Sequence, residues 1–215
     1  MRIPSLILVL ALAAAPLVGC RTTAYYDVME AFGKEKRDLL ASELRGMVDD
    51  QEEAEEAFED ALTRVKALTG FDGGPLEREY DRLKAAHADA EASADDIDSR
   101  TEDIDGIAND MFEEWKGEIA QMTTPTLRGT SQRKLDASRA KYAVMREALL
   151  ESRAKMDPAL ALLKDHVLFL KHNLNAAALG DLGRAMREIE YSIEELQDHI
   201  QVSIREAQGF METIQ

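Results

Sequence analysis

Apolar residues along this chain fall in alternating steps of three and four over most of its length. Leu40, Leu44, Met47, Gln51, Ala54, Phe58, Ala61, Val65 and Leu68 form one such stripe. Leu76, Tyr80, Leu83, His87, Ala90, Ala94, Ile97, Thr101, Ile104, Ala108, Met111, Trp115, Glu118 and Met122 form a second, and Leu182, Met186, Ile189, Ile193, Leu196, Ile200, Ser203, Ala207, Phe210 and Ile214 close the chain with another. This spacing keeps one face of a helix apolar, and its seven-residue period on a 3.6-residue helix draws helices into a left-handed supercoil. The remaining stretch carries Leu135, Ser138, Tyr142, Met145, Leu149, Ser152 and Met156, then steps by four to Leu160 before Leu163, Val167, Leu170 and Leu174. That extra step reads as a stutter. Asp157-Pro158 lies inside it, and a proline that removes a backbone donor there predicts a kink or short break.

Glycine, proline and asparagine clusters separate the stripes. Gly70-Phe71-Asp72-Gly73-Gly74-Pro75 stops the first helix and starts the second; Thr123-Thr124-Pro125 divides the second from the third; and His172 to Asp181 divides the third from the fourth. Helices over about 25–68, 75–121, 127–172 and 177–214 follow. They are of similar length, and links this short make sequential helices antiparallel neighbours. The expected fold is all-α: an elongated antiparallel four-helix bundle with coiled-coil packing, a single domain over 25–215. The same seams close equally well within one chain or between chains, so the oligomeric state stays open at this point.

Charge divides unevenly among these helices. The first three carry 6, 5 and 10 Lys and Arg against 13, 15 and 5 Asp and Glu, and the fourth carries 3 against 8. Only the third is basic, and in a square bundle it lies between two acidic neighbours, so charge selects which helix packs where. The whole chain of 215 residues has a formal charge of −16. Such a balance repels a polyanion and argues against nucleic acid as a partner.

The first 19 residues stand apart from the helical pattern. Arg2 precedes a ten-residue apolar run, Leu6 to Ala15, which rises only about 15 Å as a helix, half of a bilayer core. The run leads to Leu17-Val18-Gly19-Cys20, which resembles a bacterial lipobox, and Cys20 is the only cysteine of the chain. The expectation is a lipoprotein signal peptide over 1–19, acylation of Cys20, and a tether over 20–24. Acyl chains contribute about 0.8 kcal/mol per buried CH₂, so two or three make a stable anchor in membrane lipid. Arg21 is not the aspartate that commonly retains lipoproteins at the inner membrane. By that convention the protein is expected in the bacterial envelope, lipid-anchored at the outer membrane and facing the periplasm.

Tyr25-Tyr26-Asp27-Val28-Met29-Glu30, Phe32-Gly33-Lys34, Lys36-Arg37-Asp38, Phe71-Asp72-Gly73-Gly74 and Leu170-Lys171-His172-Asn173-Leu174-Asn175-Ala176 together resemble an uncharacterised bacterial lipoprotein family, the domain of unknown function 2959. The resemblance covers nearly all of the mature chain. It implies a helical envelope lipoprotein and brings no catalytic residues or cofactor with it.

Candidate chemistry is sparse. A di-metal bundle needs Glu-x-x-His pairs, whereas Lys84, Leu163, Phe169 and Leu196 stand three before His87, His166, His172 and His199. Thr101 to Phe112, with Asp103, Asp105 and Gly106, has some features of a calcium loop but no carboxylate at its first or twelfth position. His87 on the second seam reads as a hydrogen-bonded core histidine, and Met111 and Trp115 as core. No cofactor or metal is expected, and no enzyme.

Topology leaves one constellation. In an antiparallel bundle the Phe71–Pro75 and Lys171–Ala176 turns share the membrane-distal end. Phe71 then offers an anchor, with Asp72, Gly73, Gly74, His172, Asn173 and Asn175 around it, as a partner-binding tip. The leading expectation is a scaffolding, spacer or adaptor protein that takes an envelope partner there. The alternative is a lipid-binding or chaperone-like protein using the apolar flank of the third helix, Ala159 to Leu170, around Val167 and Phe169.

Overall fold

The computed structural model describes residues 36–69, 76–173 and 176–214. They form four helices, α1 (Lys36–Thr69), α2 (Leu76–Gln121), α3 (Pro125–His172) and α4 (Ala176–Ile214). Each helix packs against its two neighbours in a closed ring: α1 on α2, α2 on α3, α3 on α4, and α4 back on α1. Cross-helix pairs show every neighbour to be antiparallel. Lys36 meets Glu114 and Arg100 meets Asp50 and Glu43 between α1 and α2, while Lys66 meets Glu190 and Gln201 meets Glu55 between α1 and α4. The described chain is thus an all-α four-helix bundle.

The seam of α1 is that of the sequence pattern: all nine of its residues, from Leu40 to Leu68, have no exposed surface. The seam of α3 differs. Met156 is followed by buried Ala159, Leu163, His166 and Leu170, so the steps of three and four continue without a slip and the expected stutter is absent. Leu160 and Val167 lie beside this line and are half-buried. Because Ala159 and His166 hold the seam, α3 needs no local unwinding.

The expected break at Pro158 is absent too, for α3 is helical throughout Pro125–His172. Pro158 and Ala154, whose carbonyl loses its usual donor, are both exposed, and a carbonyl on that face is open to solvent.

The seam of α2 has Ala86 buried in place of the expected His87, follows the pattern from Ala90 to Ala108 with Thr101 half-buried, and then turns. Ile104, Ala108 and Phe112 are buried in steps of four, followed by Ile119. Met111 and Trp115, expected in the core, are half-buried, and Glu118 is exposed. The turn brings Phe112 edge-on to Tyr142 of α3, with ring centroids 5.6 Å apart, and Tyr142 in turn lies 5.5 Å from Phe210 of α4. Trp115 instead sits at the edge of the interface, where its indole N–H donates to Ser131 Oγ at 2.9 Å.

Candidate functional site

The basic helix α3 is matched to α2 by a ladder. Arg139, Arg146 and Arg153 stand seven residues apart on the flank of the seam, and each reaches an acid on α2: Glu113 at 2.9 Å, Asp105 at 2.8 Å and Asp98 at 2.9 Å. On the opposite flank Lys155 meets Glu195 of α4 at 2.6 Å. Arg139 also lies 5.5 Å above the Phe112 ring. Asp105 is the most enclosed of the three acids. Asp105 accepts from Arg146 Nε and from the Tyr142 hydroxyl. Burial pushes its carboxyl toward a higher pKa, but these donors outweigh it and hold the group below the usual aspartate range. Burial, and then the Asp105 carboxylate, raise the Tyr142 phenol. A helix runs through Thr101–Phe112, and Asp105 within it serves α3.

The interior contains a polar layer. Ser152 Oγ donates to Gln51 Oε1 at 2.9 Å, diagonally across the bundle from α3 to α1, and both residues are fully buried. Gln51 Nε2 and the hydroxyl of buried Ser203 on α4 have no partner. The buried histidine is His166, 4% exposed, whereas His87 is only half-buried. His166 Nδ1 stands 2.9 Å from the Leu162 carbonyl, which accepts only, so the ring donates there and its buried Nε2 is unpartnered. Continuous three-four spacing from Met156 through His166 was the signal for this position. Among the described residues no three His, Cys, Asp or Glu side chains come together as a metal site.

The end of the bundle where α1 and α3 finish and α2 and α4 start carries the residues singled out in the sequence. Phe71, Asp72, Gly73, Gly74 and Asn175 lie outside the described residues, as do Leu17, Val18, Gly19 and Cys20. His172 is exposed as the last residue of α3, beside Lys171, where positive charge suits the helix C-terminus. Asn173 is half-buried and caps the helix: its backbone N–H donates to the Leu170 carbonyl at 3.1 Å and its side-chain amide to the Phe169 carbonyl at 2.9 Å. The apolar flank of α3 nearby is a widened core, with Leu160, Leu162, Val167 and Phe169 half-buried and Leu168 48% exposed. Shallow grooves also mark the outer side of α3, one lined by Ala143, Leu150 and Ala154, another by Ala140, Val144 and Gly209 against α4. Among the described residues no helix is long and apolar enough to cross a membrane.

No curated protein matches the chain. Residues 25–214 match the family described as protein of unknown function (DUF2959), a span that takes in all four helices, and the chain belongs to that family.

Proposed function

We propose that the protein is a non-enzymatic lipoprotein, held through acylated Cys20 at the periplasmic face of the outer membrane, which acts as a scaffold, spacer or adaptor and takes an envelope partner at its membrane-distal tip. The observation that carries this reading is the use to which the described chain is put. Most described seam residues are buried, and polar groups are paired across helices, Arg146 with Asp105 and Ser152 with Gln51. A bundle packed in this way is a pillar whose ends and flanks meet other molecules. Exposed His172 at the far end of α3 supports the tip as the meeting place. The test is site-specific photocrosslinking in cells from His172 and, as a control, from exposed Glu53 in mid-bundle. A discrete protein adduct from His172 alone is expected; equal or absent adducts at both positions discard the tip.

The second reading, a lipid-binding or chaperone-like role, is favoured by Leu168, which is 48% exposed between half-buried Val167 and Phe169. Co-purified lipid, or holdase activity lost on Leu168→Asp, would select it.

A further inference from the structure

The cations of α3 differ in their partners. Arg139, Arg146, Arg153 and Lys155 have acidic partners on a neighbouring helix, Lys141 reaches the Thr213 hydroxyl of α4 at 2.8 Å, and Lys164 and Lys171, toward the far end, have no acidic partner among the described residues. Before Asp136, Arg128 and Lys134 have no partner among the described residues, and Arg133 reaches only the Thr130 hydroxyl, at 3.0 Å. The first turn of α3 contains no acid. Immediately ahead of Arg128 stands Leu127, 63% exposed, in a stretch from Thr123 to Arg128 that is exposed throughout. In a protein of net charge −16, Arg128, Arg133 and Lys134 make a local cluster of positive charge within seven residues of one exposed leucine.

This turn lies at the end of the bundle where α1 begins. Lys36, the first residue of α1, pairs with Glu114, and α2 continues from there to Gln121, a further rise of about 10 Å. The chain from Cys20 to Glu35 spans at most about 55 Å, so a membrane that holds Cys20 is within reach of the turn.

We propose that the α2–α3 turn seats on an anionic phospholipid surface, with Leu127 entering the headgroup layer and Arg128, Arg133 and Lys134 meeting lipid phosphates. This rests on the Cys20 anchor proposed above and adds to it a contact made by the folded body. An acyl tether alone leaves the bundle free to swing, whereas a seated turn fixes which end faces the bilayer. The sign of the charge selects the surface: phosphatidylglycerol attracts the three cations, and the acidic remainder of the bundle is repelled from the same surface.

The experiment uses the acylated mature chain in vesicles of phosphatidylethanolamine and phosphatidylglycerol, with nitroxide-labelled lipid as quencher. An environment-sensitive fluorophore is placed by Thr126→Cys or, at the far end of α3, by Leu168→Cys; acylated Cys20 does not compete for the label. Quenching at 126 and not at 168 is expected. Combining Leu127→Ser, Arg128→Glu and Lys134→Glu should lower it about tenfold with helicity unchanged, since all three side chains are exposed. Vesicles of phosphatidylcholine alone should give the same loss. Flotation with vesicles without quenching at 126 overturns the seated turn and leaves the anchor standing, as does equal quenching at 126 and 168. Failure to float removes the anchor and the seated turn together.

Discussion

The guanidinium of Arg100 on α2 fills the space in which a Cβ at Gly46 on α1 would stand, with its Cζ 2.7 Å from that position. From there it donates to Glu43 at 2.9 Å and to both carboxylate oxygens of Asp50. A glycine inside a helix costs about 1 kcal/mol relative to alanine, and here the missing side chain admits the ion pair that joins α1 to α2. Gly46→Ala is therefore expected to bring little or no gain in the native protein, because Arg100 must leave its partners. In an Arg100→Ala background the same change should stabilise by about 1 kcal/mol. Urea unfolding of the four proteins measures the difference as a coupling of about 1 kcal/mol, and simple additivity would show that the two residues are independent.

The Gln51–Ser152 bond makes a second expectation. Ser152→Ala leaves Gln51 buried with neither its oxygen nor its nitrogen paired, so it should destabilise by about 1–3 kcal/mol. Replacing both, by Gln51→Leu with Ser152→Ala, removes the unpaired polar atoms and should recover most of that loss. Thermal unfolding distinguishes the two. A double variant as unstable as the single one would mean that the cost comes from packing and not from the hydrogen bond.

The Asp105 cluster ties stability to pH at both ends of the scale. The Asp105 carboxyl has a lowered pKa in the folded protein, so its contribution is present above the unfolded value near 3.8 and is lost as pH falls through the folded value. The Tyr142 phenol is raised, so its contribution is present below the unfolded value near 10.0 and is lost as pH rises toward the folded one. Asp105→Asn should flatten the acid limb of the stability curve, and Tyr142→Phe the alkaline limb, in denaturant titrations between pH 2 and 11. An unchanged acid limb in Asp105→Asn would assign acid sensitivity to other carboxylates, such as Glu113 and Glu195, which their basic neighbours also hold low.

Residues of one helix that face the bundle were legible where size and spacing agree. On α1 six large apolar residues, Leu40, Leu44, Met47, Phe58, Val65 and Leu68, stand at the correct spacing, and the seam is the one the pattern predicts. On α3 the two criteria part: Leu160 and Val167 are better core residues than Ala159 and His166, but the helical period places the latter inside. The reversal of charge on α3 predicted acidic neighbours, and the Arg139, Arg146 and Arg153 ladder supplies the contacts. Arg100 over Gly46 had no local signal, since neither residue departs from its own helix pattern and only the pairing of α1 with α2 brings them together. At the tip, Asn173 was read from the sequence as a partner contact, whereas its side-chain amide and backbone N–H are spent on the last carbonyls of α3.

The continuous seam of α3 also gives an ordering that the stuttered alternative would reverse. With His166 inside and Val167 on the flank, His166→Asp places an unpaired carboxylate in the core and should destabilise by about 3 kcal/mol or more. Val167→Asp keeps its charge near water and should cost about 1 kcal/mol. Pro158→Ala completes the test, since on an exposed face of an unbroken helix it restores a backbone bond without loss of packing and should stabilise by up to about 3 kcal/mol. Were the seam to slip at Pro158, Val167→Asp would be the more damaging of the two aspartates, and Pro158→Ala would gain nothing because the chain there would no longer need to be helical.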